Sequence, residues 1–283
     1  MKKSRIWELD FFRGFAILMV VIDHAMYDFY YLFPAWKNSG VSFLETLSSV
    51  GHNYLDGDLR FFWRPAFLFL FFCVSGVCTA FSHNNLVRGL RLFGVSVLLS
   101  VVTYVGQQLL DEYCFILMGV LHCLAIITII YALIDLALRG VFALLRKKTP
   151  VSDRTEKLVK SLILLVLAVV FLVINRYCNV RLYDVFRSGK VIPYDHDWRG
   201  FFFYEKSWWT ADYFPLFPFI AFFFFGASLA ELLYGKRRSL MPSLDGKWHY
   251  IFSVPGRYSL WIYLAGQVVA IGLCYLLTAI LIG

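Results

Sequence analysis

The sequence has few charged side chains for its length. Charged residues make up 16% of its 283 positions and hydrophobic residues 60%, whereas an average soluble chain has about 25% charged and about 45 to 50% apolar residues. The chain also lacks internal repeats and low-complexity tracts. With so few polar residues, the chain cannot expose most of its surface to water. The composition therefore indicates a membrane protein.

Cysteines are few, and they lack the spacing of a ligand set. Most of the six lie inside apolar runs, without the paired spacing that zinc sites show. Neither a zinc site nor a disulfide framework is therefore expected, and no metal is predicted. Only Cys114 and Cys178, both near predicted outer ends of helices, are placed so that they could pair.

The net charge of +8 does not indicate a nucleic-acid partner. The basic residues lie at the ends of apolar runs, where loop charge sets the orientation of membrane helices. With the N-terminus inside, eighteen of the 27 Lys and Arg residues fall in inner segments, although six of the other nine share one outer loop. The partners that composition indicates are the lipid bilayer and no nucleic acid.

Seven apolar runs are long enough to cross about 30 Å of hydrocarbon. The first follows a basic start like that of a signal peptide, but it is too long and has no small-residue cleavage site, so we expect it to be retained. The sequence thus predicts an all-α polytopic bundle of about seven transmembrane helices, forming a single domain over residues 1–283. The runs cover residues 11–33, 65–82, 92–110, 115–138, 159–177, 213–234 and 257–282.

The helix predicted for the first run, extended by one residue to Asp10, carries a polar stripe. Four of its ionisable residues fall within about 60° of one another on a helix of 3.6 residues per turn: Asp10, Arg13, His24 and Asp28. Arg13 and His24 are about 16 Å apart along the axis. Asp10 is placed to pair with Arg13, and Asp28 to orient His24. Ionisable groups inside a membrane are energetically costly and usually mark a functional site. The alternative is that these residues make polar contacts between helices. Asp23 points about 100° away from the stripe and is expected to be structural.

Other runs offer partners for this stripe. His122 is a second acid or base, or else a buried hydrogen-bonded histidine. Arg88 and Arg91, one turn apart, suit phosphate binding but also fit the positive-inside rule. Ser75, Gly76 and Thr79 are interpreted as packing residues. Aromatic residues near a predicted outer end, among them Trp208 and Trp209, indicate an interfacial belt or a surface that stacks on a sugar.

Five segments together resemble a known family. The chain is similar to transmembrane acyltransferases, and within them to the bacterial branch of the heparan-α-glucosaminide N-acetyltransferase catalytic-domain family. The matching segments occur in the expected order over nearly the whole chain: Leu9–Ile17 followed by His24, Phe72–Gly76, Gly119–His122, Ala211–Pro218 and Ser259–Leu264.

This resemblance implies an acetyl group delivered from cytoplasmic acetyl-CoA to an amine or hydroxyl of a sugar or glycan at the outer face. It implies a multi-pass protein of the bacterial cytoplasmic membrane, with Arg13 on the donor side and His24 in the chemistry. Asp10, Arg88 and Arg91 join Arg13 as predicted donor-binding residues. His24, Asp28 and His122 are the predicted catalytic residues, and Asp212, Tyr213, Trp208 and Trp209 the predicted acceptor-binding residues.

One departure from the family pattern concerns the last helix. Many relatives have His-Gln after the final Tyr-Leu motif, whereas this chain has Ala265-Gly266-Gln267. Any role of that histidine is therefore absent, which leaves open both the type of acceptor and whether activity differs from that of the relatives. The sequence leaves open direct transfer or an acyl-histidine intermediate, and it leaves open the oligomeric state.

Two other functional classes fit parts of the sequence. A transporter or channel would use the polar stripe as a pathway for a proton or solute, without cleaving a thioester. A non-catalytic membrane scaffold would leave the stripe unexplained. The enzyme interpretation is favoured because an arginine at the inner mouth and a deeper histidine suit an elongated donor that carries phosphates.

Overall fold

The computed structural model describes residues 6–110, 114–148, 152–178, 198–204, 208, 210–235 and 237–282. Within those ranges the secondary structure is helical throughout and contains no strand. Each of the seven apolar runs lies on an α-helix, so the predicted all-α fold is confirmed.

The α-helices of the described ranges are numbered here in chain order. They are α1 Trp7–Tyr27, α2 Ser42–Asp56, α3 Asp58–Val77, α4 Asn85–Leu110, α5 Val120–Lys148, α6 Asp153–Tyr177, α7 Phe219–Leu233, α8 Tyr250–Arg257 and α9 Ser259–Leu281. Five of these helices, α3, α4, α5, α6 and α9, are long and apolar enough to cross a membrane. Helix α1 has four charged residues distributed along its 21 positions, Glu8, Asp10, Arg13 and Asp23, and α7, with 15 residues, is shorter.

Two helices were not among the predicted runs. Helix α2 lies between the first two predicted runs, and α8 has only eight residues, with Pro255 inside it. Hydropathy does not reveal either helix, because α2 is amphipathic and α8 is too short to span. The sixth run contains Pro215 and Pro218, and proline disrupts a helix interior; α7 accordingly begins only at Phe219, after both prolines.

The described chain divides into two compact units. The first unit comprises residues 1–71 and 241–283. Within it, α1 packs against α8, α9 and α2, and a core of Phe33, Trp36, Leu44 and Cys274 lies beyond the end of α1. The indole Nε1 of Trp36 donates to Thr278 Oγ1 at 2.8 Å, which joins this core to α9.

The second unit comprises residues 72–240. Helix α4 packs on α5, and α6 packs on α7. Lys160 of α6 lies 2.7 Å from the buried Asp135 carboxylate of α5. A Cβ on Gly76 would overlap the Phe223 carbonyl oxygen, and one on Gly226 would overlap that of Cys73, so the packing role expected for Gly76 is confirmed. The single-domain assignment over 1–283 stays a prediction.

Candidate active site

Helix α1 positions the polar stripe. Glu8 and Asp10 in its first turn complement the positive end of the helix dipole, and no proline interrupts it before Tyr27. A π-helical turn, Asp28–Leu32, then extends α1, and such turns frequently occur at functional sites. Because all four stripe residues lie on this continuous helical segment, their order along it is that predicted from the sequence.

The predicted pair of Asp10 and Arg13 is present. Arg13 Nη1 lies 3.4 Å from Asp10 Oδ1, and it also donates to the carbonyl oxygen of Gly256 at 3.4 Å. A second guanidinium approaches the same carboxylate, because Arg257 Nε lies 3.6 Å from Asp10 Oδ2. Asp10 is thus flanked by two arginines from different helices.

Two glycines bring these helices together. A Cβ on Gly14 of α1 would overlap the carbonyl oxygen of Phe252, and one on Gly256 of α8 would overlap the carbonyl oxygen of Asp10. The helix backbones are therefore in direct contact where Arg13 and Arg257 adjoin the two glycines. Small residues permit such close helix crossings in membrane proteins.

Asp28 is buried, with 1% of its surface exposed. The amide Nε2 of Gln267, on α9, lies 2.9 Å from each of its carboxylate oxygens. His24, half-buried and one turn earlier, interacts electrostatically with Asp28. The structure therefore places Asp28 one turn after His24 and adds Gln267 as a donor to the carboxylate. An acid-base role for His24 and Asp28 stays a prediction.

Asp23, next to His24 in sequence, lies in a separate ion-pair cluster. Arg60 Nε is 2.8 Å from Asp23 Oδ1, and Arg64 Nε is 3.3 Å from Asp23 Oδ2. The Tyr54 hydroxyl donates to Asp23 Oδ1 at 3.1 Å. Burial first, and then the nearby Asp23 carboxylate, raise the pKa of Tyr54, so its hydroxyl keeps the donated proton. This cluster joins α1, α2 and α3, which agrees with the structural role expected for Asp23.

In the second unit, His122 lies in the first turn of α5. The Gly119 amide donates to its Nδ1 at 3.3 Å, and its Nε2 lies 2.9 Å from Ser100 Oγ. The Ser100 hydroxyl itself donates to the Ile116 carbonyl at 2.7 Å, so its oxygen accepts the proton of Nε2. Both ring nitrogens of a neutral His122 are thus used in the fold. This favours the buried hydrogen-bonded histidine that the sequence left open.

Asp212 caps the start of α5 from a distant part of the chain. Its Oδ2 accepts the Val120 amide at 3.2 Å, and its φ of 52° is in the left-handed region. A Cβ on Gly119 would lie 2.9 Å from the same Oδ2, so only glycine fits there without movement. Phe214 N also donates to the Met118 carbonyl at 2.7 Å. The segments Gly119–His122 and Ala211–Pro218 therefore pack against each other.

The aromatic candidates next to Asp212 have internal contacts. The Tyr213 hydroxyl donates to the Gly200 carbonyl at 2.6 Å. Trp208 is 4% exposed and stacks on the Tyr213 ring at a centroid distance of 5.8 Å. Trp209 lies outside the described residues. An acceptor-binding role for Asp212, Tyr213, Trp208 and Trp209 stays a prediction.

Arg88 and Arg91 lie in the first two turns of α4, in the second unit. Arg88 is half-buried and Arg91 is exposed. Arg13 belongs to the first unit, so the predicted grouping of the three arginines around a donor stays a prediction. Within the described residues, no group of three or more His, Cys, Asp or Glu side chains is arranged to hold a metal ion.

Sequence reasoning missed two polar residues that contact the stripe. Arg257 was counted only as a basic residue at a helix end, and Gln267 only as part of a family departure. The glycine before Arg257 and the isolated amide of Gln267 within an apolar run were the available signals. Neither signal names a partner, because the partners are more than 230 residues away in the chain.

Comparison with known proteins identifies the family. The model of the family described as "Heparan-alpha-glucosaminide N-acetyltransferase, catalytic" matches residues 5–147 and 155–268. No curated protein and no solved structure matched the chain. Such family membership implies an acetyltransferase held in a membrane by several apolar helices. From this match over nearly its whole length, the chain belongs to the catalytic-domain family of heparan-α-glucosaminide N-acetyltransferases.

Proposed function

We propose that this protein transfers an acetyl group from cytoplasmic acetyl-CoA to an amine or hydroxyl of a sugar or glycan at the outer face of a bacterial cytoplasmic membrane. The observation that supports the proposal is helix α1, on which Arg13 and His24 are eleven residues apart and therefore about three whole turns apart. Asp10 lies beside Arg13, and Asp28 follows His24 by one turn. Family membership supports the reaction class. The cytoplasmic N-terminus, the donor and the acceptor are parts of the proposal.

Arg13 is proposed to bind the donor on the cytoplasmic side. About 16 Å of helix separates it from His24, a distance that suits a donor with phosphates at one end and a thioester at the other. A guanidinium binds phosphate through paired N–H groups, which makes arginine suited to this role. Asp10 holds Arg13 in place. Arg88 and Arg91 stay separate candidates for donor binding, on the sequence prediction alone.

His24 is proposed to carry the chemistry. In direct transfer, His24 takes the proton from the acceptor N–H or O–H while the acceptor atom bonds to the acetyl carbon. The C–S bond breaks, and the coenzyme A thiolate leaves and takes up a proton. In the covalent variant the imidazole is acetylated first and then passes the acetyl group to the acceptor. Asp28, held by Gln267, orients the imidazole in both.

His122 and Asp212 enter this proposal in supporting roles. Their polar atoms contact Gly119 and Val120 at the start of α5. We infer that they fix the two family segments in which they lie, and that any contact with the acceptor comes through Asp212 or the neighbouring aromatic residues.

The first prediction concerns His24. Purified protein given acetyl-CoA and an amino-sugar acceptor should release free thiol, and His24→Ala should lower that rate by about 100-fold or more, because acid-base catalysis contributes that much. His52→Ala is the matched control, since His52 is an exposed histidine of the same unit. Unchanged thiol release in His24→Ala would remove the proposed chemistry. Solute or proton transport by wild type without thioester cleavage would replace the enzyme with a transporter.

A further inference from the structure

Two arginines of the first unit lie against one carboxylate. Arg13 Nη1 is 3.4 Å from one oxygen of Asp10, and Arg257 Nε is 3.6 Å from the other. Two guanidiniums from different helices thus approach the two oxygens of a single carboxylate. The side chains of Arg13 and Arg257 are 25% and 36% exposed, so neither is enclosed by the described residues.

The glycine crossing explains why two like charges lie so close together. The chain places Arg13 before Gly14 and Arg257 after Gly256, and these glycines lie where α1 and α8 touch. Repulsion between the arginines is offset by Asp10, which both approach. The distances exceed the about 2.7 to 2.9 Å of a charge-assisted hydrogen bond.

We propose that Arg257 and Arg13 together form a binding site for the phosphate groups of coenzyme A, with Asp10 as the internal counter-ion. This inference rests on the proposed function and deepens it, since Arg257 was not among the donor-binding residues predicted from the sequence. Two guanidiniums present several N–H donors in a planar arrangement that matches phosphate oxygens.

The test measures the binding of coenzyme A to the purified full-length protein by titration calorimetry. Arg257→Ala should raise the Kd about tenfold or more, and Arg257→Lys, which keeps the charge but loses the planar donor geometry, should lie between it and wild type. The wild-type Kd should also rise with salt concentration, and less steeply in Arg257→Ala, because one charge contact is missing. If Arg257 only packed against its neighbours, the Kd would depend on salt equally in Arg257→Ala and in the wild-type protein.

Lys247→Ala is the matched control. Lys247 is an exposed basic residue of the same unit, so this substitution removes one positive charge and leaves Arg257 in place. The Kd should stay at the wild-type value. Wild-type affinity and salt dependence in Arg257→Ala would overturn the inference, and so would an equal loss of affinity in Lys247→Ala. A wild-type protein that binds no coenzyme A would overturn it too.

A lipid headgroup also carries a phosphate, so a second experiment distinguishes coenzyme A from a lipid headgroup as the ligand of the two arginines. The Kd of coenzyme A should be the same in nanodiscs of phosphatidylcholine and in nanodiscs that contain phosphatidylglycerol. Loss of coenzyme A binding in the anionic lipid, relieved by Arg257→Ala, would assign the arginine pair to lipid headgroups and overturn the inference. Coenzyme A binding without acetyl transfer would instead leave the inference standing and refute the proposed function.

Discussion

At the scale of single residues, the carboxylate of Asp28 depends on one amide. Asp28 is buried, and Gln267 Nε2 lies 2.9 Å from each of its oxygens. A buried carboxylate needs hydrogen-bond donors, since an unsatisfied one costs several kcal/mol. Under the proposed function, Gln267 therefore supports the carboxylate that orients His24, although it lies on another helix.

The second prediction tests that link. Gln267→Leu keeps the apolar volume but removes the donor, so it should lower kcat about tenfold or more, as expected for a hydrogen bond to a charged group, worth about 1.5 to 3 kcal/mol. The KM for acetyl-CoA should change by less than about twofold, because donor binding is assigned to the other end of α1. Steady-state thiol release measures both constants.

A control substitution on the same helix distinguishes loss of the Asp28 contact from general loss of protein stability. Thr278→Val removes the hydrogen bond between Trp36 and Thr278, which joins α9 to the core of the same unit. It should lower the unfolding temperature and leave kcat unchanged. If Gln267→Leu and Thr278→Val reduce kcat equally, Gln267 only stabilises the fold, and its assigned role is wrong.

At the scale of helices, close backbone contact sets the geometry of the first unit. Gly256 allows α8 to lie against the backbone of Asp10, and the contact brings Arg257 to the same carboxylate as Arg13. A side chain at this position would push the two helices apart. The crossing therefore supports both the fold and the charge cluster.

The third prediction uses this crossing. Gly256→Ala should destabilise the protein by about 1 to 3 kcal/mol, the usual cost of overpacking, because its Cβ would overlap a backbone oxygen. Gly272→Ala on α9 is the control, since no heavy atom lies within 4 Å of its added Cβ. It should leave stability unchanged or raise it, as alanine favours helix. Thermal unfolding in detergent measures both variants, and equal stability of the two would contradict the role of Gly256.

The sequence predicted helices better than it predicted contacts. The apolar runs were sufficient to locate seven helices, because spanning length and hydropathy are local properties. The pair of Asp10 and Arg13 was also predictable, since helical periodicity fixes neighbours three residues apart. The contact of Asp28 with Gln267 was not, because the two residues are 239 positions apart and helix packing brings them together. Helix α8 was missed because its eight residues are too few to form a spanning apolar run.

At the scale of the whole molecule, charge and helix length determine orientation. Helix α5 ends near Arg146 and Lys147, and α6 begins with basic residues among its first eight positions. Arg146 pairs with Asp153 and Glu156, which ties the two helix ends together. Because basic loops stay on the cytoplasmic side, this connection is expected inside the cell.

The fourth prediction follows from the length of α6. Its 25 residues extend about 37 Å, more than the about 30 Å of hydrocarbon, so Cys178 at its far end should lie outside. Cys178 is an exposed free thiol and should react with a membrane-impermeant maleimide in intact cells. In a Cys178→Ser background, Lys147→Cys should react only after the cells are permeabilised, because Lys147 is exposed at the opposite end of the helix pair. The reverse pattern would place the N-terminus outside and Arg13 on the wrong side for a cytoplasmic donor, which would refute the proposed direction of acetyl transfer.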